Sequence, residues 1–456
     1  MDKNKEITQP TFSLPQQLRE EILSTINPSL DEKIKTQAVV DEFLKHLRAQ
    51  GEKSPYSITF ELGGSYAKDT YLKGDFDVDI FCIFKEKIED SLMCNFIREI
   101  LESIKVSFSI EQGSRTYYSG RYESSSKQSI QFECVPTQWY ENPYDAVNST
   151  DLSIHHVKFV QQEIEKNPQL CSEIRLAKQW FKANELYGAE SYINGFSGHG
   201  IECLIIQLQS FERLINTLSN INKGEVFTFH SSKDEYLKML SKDKHSPILM
   251  QDPIIKHRNA LSALNSELFY KAKLEAIKAS INPLCISQFQ IPLYPNKRIL
   301  YKSIFNNSKQ SYVGVKIDVL ENLKSKDIIG SKCKKIVQKL SQHLKSEGFQ
   351  VNFIEFKYVD SLQIAYGKIV LESNTISSVY YHKGPTLDIN HSSIKEFLKK
   401  YSQEQLFVYN NSMYVSKERR FSDVEDFINV YSSTQKIINL INMRNIEELV
   451  EVEMFI

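Results

Sequence analysis

Two aspartates separated by one residue stand in a stretch that otherwise has the pattern of a buried strand. Residues 75–84, DFDVDIFCIF, are rich in the β-branched and aromatic side chains that favour strands. Side chains alternate between the two faces of a strand, so Asp77 and Asp79 point the same way. Two like charges on one face are costly unless a positive group lies between them. The stretch therefore predicts a cation-binding site at the end of a strand.

The composition bounds the class of protein. The chain has 456 residues, enough for about three domains, and its formal net charge of −1 does not announce a nucleic-acid partner, so any basic surface must be local. Its seven cysteines are scattered without a C-x-x-C pair, which argues against a disulfide framework and against a structural zinc. No apolar run approaches membrane-spanning length and the first residues carry no leader pattern. We expect an intracellular, cytoplasmic protein with reduced thiols and no membrane partner.

The periodicity of the chain predicts four domains in an α+β, multidomain fold. Helical periodicity over 13–50, broken at Asn27-Pro28, precedes strands at 57–64, 75–84, 105–112 and 129–135, with one helix near 90–104. Helices follow from 155 to about 280, with a strand-like CISQFQIPL after them. A strand–helix–strand–strand pattern comes next, and then a basic tail predicted to be helical. The predicted boundaries are a head at 1–153, a helical central domain at 154–280, a small α+β body at 281–384 and the tail at 385–456.

The residues around the aspartates suggest which cation they bind. Mg²⁺ is usually held by one or two carboxylates plus phosphate oxygens of a substrate, and a third carboxylate from a neighbouring strand completes a two-metal site. Glu133, in the alternating strand IQFECVP, is the candidate for that third ligand. Upstream, Gly64 and Ser65 form a tight turn whose N–H groups and hydroxyl can approach a phosphate, and Lys68 adds a positive charge.

This combination of Gly-Ser with a following D-x-D resembles the signature of the DNA polymerase β-like nucleotidyltransferase superfamily. Within it, GGSYAKDTYLKGDFDVDIFCIF is similar to the motif of archaeal-type (class I) CCA-adding enzymes, the tRNA nucleotidyltransferases. Three further blocks resemble that family: IHHVKFV at 154–160, RLAKQWFKANELYGAESYINGFSGHGIECLI at 175–206 and QDPIIKHRNAL at 251–261. The resemblance is clear over roughly 56–275 and fades beyond, and it implies a polymerase β-like head.

The resemblance implies an activity and a set of site residues. The activity is template-independent addition of the 3′-terminal CCA to tRNA from CTP and ATP, with Asp77, Asp79 and Glu133 binding two Mg²⁺ ions that activate the tRNA 3′-hydroxyl. It assigns a second group of residues to the incoming nucleotide. They are Gly64, Ser65, Lys68, His155, Lys178 and Tyr187 at the phosphates, and Arg258 at the base.

Four positions depart from the family pattern, and several residues have an ordinary structural interpretation as well. The family usually has Asp at the position of Glu133, Arg at the positions of Lys68 and Asn194, and Thr at the position of Leu152. A histidine such as His155 at a helix start is more often a cap or core residue. Arg258 can equally form an ion pair with Asp252. Asp75 is expected to cap the turn before the strand and not to bind metal.

Local basic clusters match the implied partner, the acceptor and TΨC stems of tRNA. They are Lys332, Lys334, Lys335, Lys339 and Lys345 on one predicted helix, and Lys395, Lys399, Lys400, Lys417, Arg419 and Arg420 in the tail. The alternatives that the sequence leaves open are a poly(A) polymerase-like or oligoadenylate synthase-like enzyme, an enzyme adding only CC or only A, and a non-catalytic RNA-binding relative. Whether the chain forms a homodimer is also left open.

Overall fold

The computed structural model describes residues 12–282, 284–305, 311–319, 325–388, 391–434 and 454–455. It separates into two compact units, residues 1–292 with 323–325, and residues 293–322 with 326–456. The four finer boundaries expected from the sequence stay predictions. Among the described residues, none of the helices is both long enough and apolar enough to cross a membrane.

The first unit contains ten helices within its described residues. They are α1 Gln16–Ile26, α2 Leu30–Gly51, α3 Gly64–Ala67, α4 Asp90–Ile104, α5 Ser153–Lys166, α6 Leu170–Ala183, α7 Gly198–Leu208, α8 Phe211–Asn220, α9 Lys233–Met239 and α10 Ser266–Ile281. The break at Asn27-Pro28 and the helix near 90–104 are confirmed. Helix α2 begins at a capping box, in which the Ser29 side chain accepts the Glu32 N–H and the Glu32 carboxylate accepts the Ser29 N–H.

A five-stranded sheet in the order β1-β2-β5-β4-β3 forms the head. Its strands are β1 Ile58–Leu62, β2 Val78–Phe84, β3 Ser107–Gln112, β4 Thr116–Glu123 and β5 Ser129–Gln138. Strand β4 was not among the predicted strands, although its TYYSGRYE sequence is rich in strand-forming residues. Strands β2 and β5 are parallel, whereas the other pairs in this sheet are antiparallel. One face of this sheet packs on α2 and α4 through buried side chains such as Phe43, Ile97 and Phe132.

The helical part of the first unit has its own apolar core. Side chains of α1, α6, α7, α8 and α10 meet there around Trp180, Phe181 and Phe211. Two short parallel strands, β6 Glu225–Phe227 and β7 Ile248–Met250, lie within the region for which only helices were predicted. The strand expected at CISQFQIPL is wrong, because Ile286–Phe289 forms a single 3₁₀ turn. Pro292 within that segment cannot donate a ladder hydrogen bond, which disfavours a strand there.

The second unit contains two sheets and four helices in its described part. They are α11 Lys297–Phe305, β8 Tyr312–Asp318, α12 Lys326–Ser346, β9 Val351–Val359, β10 Ile364–Leu371, β11 Val379–Thr386, α13 His391–Lys400, β12 Leu406–Tyr409, β13 Ser412–Glu418, α14 Val424–Thr434 and β14 Met454–Phe455. The sheet β14-β8-β10-β9 confirms the strands predicted for the α+β body, and α12 supplies its helix.

The tail differs from the helical prediction in part. Helices α13 and α14 are present, but a three-stranded sheet in the order β11-β13-β12 lies with them. Strands β12 and β13 are joined at Asn410 and Asn411, whose φ angles are +43° and +61°. Asparagine tolerates this left-handed region, so the run LFVYNNSMYVSKE is a hairpin signal. The helical prediction for the tail did not include this hairpin.

Candidate active site

The two predicted metal ligands on neighbouring strands are paired in register. Strands β2 and β5 run parallel with Asp79 directly opposite Glu133, and Asp77 lies just before β2. Val78 and Ile80, on the other face, are fully buried, whereas Asp77 is exposed and Asp79 is half-buried. The alternation deduced from the sequence is therefore confirmed at both strands. Two carboxylates are presented side by side at the end of the sheet, with a third at the start of β2.

The Gly-Gly-Ser turn is fastened directly against Asp79. The Gly63 N–H donates to the Asp79 carbonyl at 2.8 Å, and Gly64 has a φ of +55°. A Cβ atom on Gly64 would meet the Asp79 Oδ2 at 1.6 Å and the Asp79 Cγ at 2.5 Å. Because Gly64 has no side chain, the Asp79 carboxylate can occupy the space beside it. Ser65 is the next residue of the turn.

The electrostatics at these carboxylates favour a bound cation. Burial and the negative charge of Asp77 together raise the pKa of the Asp79 carboxyl to about 6, against the opposing effect of Lys68. Burial also raises the pKa of the Tyr117 phenol on β4, and the charges of Glu133, Glu111 and Asp79 add to the rise. Burial is the larger cause for both groups, and the neighbouring negative charge adds to it. A divalent cation would relieve this charge.

The predicted ligands are not drawn into one tight cluster. Within the described ranges, the only trio of histidine, cysteine or acidic side chains whose ligand atoms lie within 4.8 Å of one another is His156, His199 and Asp252. Asp77, Asp79 and Glu133 are therefore spread more widely than a single-ion site requires.

A buried ionic group lies behind the glycine turn. The Glu202 carboxylate of α7 accepts from the Lys68 ammonium at 2.7 Å and from the Lys178 ammonium of α6 at 2.8 Å. The Thr70 hydroxyl donates to Glu202 Oε1 at 3.0 Å. Burial would raise the pKa of the Glu202 carboxyl, but Lys178 and Lys68 outweigh it and hold this pKa well below its usual range. The structure thus brings the two predicted phosphate-binding lysines to one carboxylate.

Sequence reasoning missed Glu202. The only signal for it was a single acidic residue inside the apolar run GIECLII. The apolar neighbours indicate a buried helix, so exposure to solvent does not explain a charge at this position. A charged residue at a helix position that faces a core is almost always paired. That pairing points to Lys68 and Lys178, which are distant in sequence.

Tyr187 lies beside this group, just after α6. A Cβ atom on Gly198 would meet its hydroxyl oxygen at 2.7 Å, so the start of α7 approaches the ring closely. Burial raises the pKa of the Tyr187 phenol, and the nearby Glu202 charge adds to the rise. Lys182 lies over the ring at 4.9 Å and binds Asp75 at 2.5 Å. The Asp75 carboxylate is thus in an ion pair with Lys182, whereas its expected role as a cap of the turn stays a prediction.

Two adjacent histidines have different surroundings. His155 stacks on Trp139, with ring centroids 5.4 Å apart, and its Nε2 lies 3.3 Å from the Tyr140 carbonyl oxygen. These contacts match the ordinary structural interpretation of a histidine at a helix start. His156 points instead to the fully buried Asp252, with Nε2 2.9 Å from Oδ2. The two histidines cannot be distinguished as site residues from the sequence, because only the fold shows which of them faces inwards.

Asp252 also connects to Arg258. The Arg258 Nη1 lies 3.7 Å from Asp252 Oδ2, so the ion pair foreseen as the alternative to base recognition is present. Asp252 Oδ1 accepts the N–H groups of Ile254 and Ile255 at 2.8 and 3.0 Å. The Asp252 carboxylate is therefore satisfied by hydrogen bonds and a guanidinium, and that neighbouring positive charge makes the trio a poor cation site. Arg258 lies at ion-pair distance from Asp252, but its Nη1 makes no hydrogen bond.

Asn194 has a backbone reason for its identity. Its φ is +60°, in the left-handed region that asparagine tolerates better than arginine. Its side-chain amide donates to the Ser191 carbonyl at 2.6 Å, and its carbonyl accepts the Asn265 N–H at 3.0 Å. This residue closes a turn between α6 and α7, which accounts for the departure from the expected arginine.

Three family models match the chain in order. The nucleotidyltransferase domain matches residues 40–133, the second domain of tRNA nucleotidyltransferase matches 172–284, and the C-terminal domain of the CCA-adding enzyme matches 322–441. The chain resembles CCA-adding enzymes along most of its length. It is accordingly a nucleotidyltransferase, and the resemblance found in its motifs extends through the second unit, where the sequence had shown little.

Curated members of this family align with nearly the whole chain. A CCA-adding enzyme of Sulfurisphaera tokodaii is 26% identical over 417 residues, covering 90% of each chain. One of Nanoarchaeum equitans is 29% identical over 395 residues, covering 85% of this chain and 90% of that protein. One of Saccharolobus solfataricus is 26% identical over 418 residues. Among solved structures, Cid1 poly(U) polymerase with Mg 3′-dATP aligns with 60% of this chain at 16% identity and a TM-score of 0.47, too distant a likeness to support an argument.

Proposed function

We propose that this protein adds the 3′-terminal CCA to tRNA without a nucleic-acid template, using CTP and ATP. The observation that carries the proposal is the register of β2 and β5, which places Asp79 opposite Glu133 beside a glycine turn that leaves room only for a carboxylate. The resemblance supplies the substrate class, because the curated relatives named above are all CCA-adding enzymes.

The carboxylates are the proposed magnesium ligands. Asp77, Asp79 and Glu133 offer oxygen donors only, which suits Mg²⁺, and the neighbouring negative charge that adds to the raised pKa of Asp79 is what such ions would relieve. When bound, two Mg²⁺ ions stabilise the attacking and leaving oxygens of an in-line displacement at the α-phosphate. Glu133 is one methylene longer than the aspartate usual in the family. The pairing of β5 with β2 fixes the backbone position from which this longer side chain extends.

The chain's own groups bind and orient the substrates. Ser65 follows Gly64 in the turn that lies against Asp79, and Lys68 carries a positive charge close enough to lower the pKa of that carboxyl. Together they are the proposed contacts of the triphosphate, whose negative charge they match. Attack by the tRNA 3′-hydroxyl forms the new phosphodiester bond and releases pyrophosphate from the same α-phosphorus. Gly64, Lys178 and Tyr187 complete the proposed nucleotide site, and the contacts of His155 suit a structural role better.

Arg258 is the proposed reader of the incoming base. A guanidinium presents several donors in a fixed plane and can serve the acceptor edges of both cytosine and adenine. Asp252 lies 3.7 Å from its Nη1 and is itself held by His156 and two backbone N–H groups. The Asp252 charge lies near one side of the guanidinium, beyond hydrogen-bond distance, and the remaining donors are the ones proposed to meet the base.

The second unit is the proposed tRNA-binding part. Lys335, Lys339 and Lys345 of α12 are exposed, as are Lys395, Lys399 and Lys400 of α13. Exposed ammonium groups spaced along helices suit the phosphates of an A-form stem, which proteins recognise by shape and charge. Lys417 is less available, since it binds Glu404 at 2.7 Å and lies over Tyr401.

The test is a primer-extension assay. A tRNA transcript without its CCA end is incubated with Mg²⁺ and each nucleoside triphosphate separately, and then with CTP and ATP together. We expect growth by two nucleotides with CTP alone and by three, and no further, with both. Unlimited ATP tailing would indicate a poly(A)-type enzyme, and addition of A only to a CC-ending tRNA a partial enzyme. Absence of incorporation with intact tRNA binding would refute the catalytic interpretation.

A further inference from the structure

Strand β12, Leu406–Tyr409, forms one edge of the sheet β11-β13-β12. Three of its four side chains are exposed: Phe407 to 37%, Val408 to 64% and Tyr409 to 68%. An exposed apolar edge strand presents unpaired backbone groups with which another chain can pair, so proteins usually protect such edges with charges, proline or a bulge. The LFVY sequence of β12 contains no charge and no proline, and its pairing with β13 is regular.

The opposite edge of the same sheet is protected. Strand β11 carries Lys383 and Pro385, and its register with β13 shifts between Lys383 and Thr386. This edge therefore combines a charge, a residue without an N–H and an irregularity, each of which disfavours pairing with a further strand. The contrast within one sheet indicates that the edge of β12, and not that of β11, is suited to receive another strand.

The hairpin turn determines which backbone groups of β12 face outwards. Asn410 and Asn411 form a two-residue turn, and both have positive φ angles. Tyr409 and Ser412, on either side of the turn, therefore form the hydrogen-bonded pair that closes the hairpin. Hydrogen-bonded and non-hydrogen-bonded pairs alternate along an antiparallel ladder, so the N–H and C=O of Val408 point away from β13. Within the described part of the second unit, no strand pairs with this outer edge.

We propose that β12 pairs with β12 of a second copy of this chain, so that two three-stranded sheets join into one six-stranded sheet across a two-fold axis. An antiparallel strand can pair with itself about an axis perpendicular to the sheet, which keeps each face of the sheet continuous. Val408 then lies opposite Val408 of the second copy, and the N–H of each donates to the carbonyl oxygen of the other. The proposal goes beyond the proposed function and does not depend on it.

The side chains of β12 suit pairing with an identical strand. In this register Phe407 of each copy lies opposite Tyr409 of the other, on the face where Phe407 contacts Tyr381 with ring centroids 5.7 Å apart. Aromatic pairs directly across an antiparallel ladder are stabilising. The acid nearest to β12 along the chain, Glu404, is paired with Lys417 at 2.7 Å, so its charge is compensated within one copy.

The expected dimer is weak. A four-residue strand buries less surface than the roughly 1,200 Å² of a standard interface, so we expect a dissociation constant of about 10–100 µM. Sedimentation equilibrium of the full chain between about 1 and 200 µM covers this range. The average mass should rise from that of one chain towards that of two. A chain that stays monomeric throughout would overturn the proposal.

A charge exchange at Val408 tests the register directly. Val408→Lys and Val408→Glu each place like charges opposite one another, so each variant alone should dimerise at least about tenfold more weakly than wild type. An equimolar mixture of the two should form a heterodimer about as tight as the wild-type dimer, because lysine then faces glutamate. A mixture no tighter than the separate variants would refute the pairing of Val408 with itself. Because Val408 is exposed, both variants should fold as wild type does.

A backbone variant separates strand pairing from side-chain contact. Val408→Pro removes the outward N–H and leaves the hydrogen bonds to β13 in place, so the dimer loses two hydrogen bonds and should weaken by about 30-fold. Val408→Thr keeps the N–H and the β-branched shape and is the matched control, expected to dimerise within about threefold of wild type. Equal dimerisation of Val408→Pro and wild type would refute strand pairing, because the copies would then meet on another surface.

Nucleic acid is the other occupant that exposed aromatic rings suit, because bases stack on them. Strand β12 has no positive charge of its own to meet a phosphate, which favours a second strand. If Val408→Lys tightened the binding of tRNA and Val408→Glu weakened it while wild type stayed monomeric, this edge would be an RNA contact and the dimer would be refuted. Mass and nucleotide addition are measured separately, so a failure of CCA addition leaves the test of the dimer intact.

Discussion

Replacing Gly64 with alanine tests whether the glycine turn exists to make room for the Asp79 carboxylate. The added Cβ would lie 1.6 Å from Asp79 Oδ2, 2.5 Å from its Cγ and 3.1 Å from its Cβ. Ordinary contact needs about 3.5 Å, so the whole side chain must move by roughly 1–2 Å, and rotation of the carboxylate alone does not suffice. Misplacement of a catalytic group by about 1 Å can cost about 100-fold in rate. We therefore expect kcat/KM for nucleotide addition to fall by about 100-fold or more.

The same substitution also strains the backbone, which calls for a matched control. Gly64 has a φ of +55°, where a residue with a Cβ costs about 1–2 kcal/mol, so the free energy of unfolding should fall by that amount. Gly74 has a φ of +70°, and no heavy atom lies within 4 Å of its added Cβ. Gly74→Ala should pay a similar backbone cost and keep kcat/KM within about threefold.

The assay combines urea unfolding with steady-state addition of A to a CC-ending tRNA. If Gly64→Ala stays folded and keeps kcat/KM within about threefold of wild type, nucleotide addition does not depend on the position of the Asp79 carboxylate beside Gly64. An equal loss in Gly74→Ala would mean that backbone strain in this loop, and not the clash with Asp79, explains the effect. Either result would refute the reasoning.

Three further predictions concern charge. Asp79→Ala should abolish incorporation while leaving tRNA binding, measured by filter retention, unchanged. The pKa of Asp79 in the folded protein is raised to about 6, so its contribution to stability is present below about pH 4 and is lost as the pH rises through 6. The free energy of unfolding should fall by at most about 3 kcal/mol over this range. Urea unfolding should show this loss in wild type but not in Asp79→Asn. Asp252→Ala removes the buried partner of His156 and Arg258, so we expect about 2–4 kcal/mol less stability and greater misincorporation of UTP and GTP, whereas unchanged selectivity would separate Asp252 from base recognition.

The parts of the site that the sequence predicted are those that follow from strand geometry. Asp79 and Glu133 lie on the neighbouring strands β2 and β5, Asp77 lies just before β2, and the alternation of side chains along a strand fixes which of them share a face. The parallel register that sets Asp79 opposite Glu133 confirms that inference. Asn410 and Asn411 stand between two strand-like runs and also indicate the hairpin of β12 and β13. The prediction of a helical, basic tail did not include it.

The remaining site residues could not be predicted because their roles depend on contacts between distant segments. Glu202 is separated from Lys68 by 134 positions, and a lone acid in an apolar helix does not say which cation it meets. His155 and His156 are neighbours in sequence, and only the rotation of α5 against the Asp252 segment decides which of them is buried. Lys178 shows the same limit: a lysine in a matching motif shows its charge, whereas its hydrogen bonds to Thr70 and Glu202 follow only from the fold. Motif resemblance therefore predicts which residues gather at a site, and the fold decides which buried charges pair with one another there.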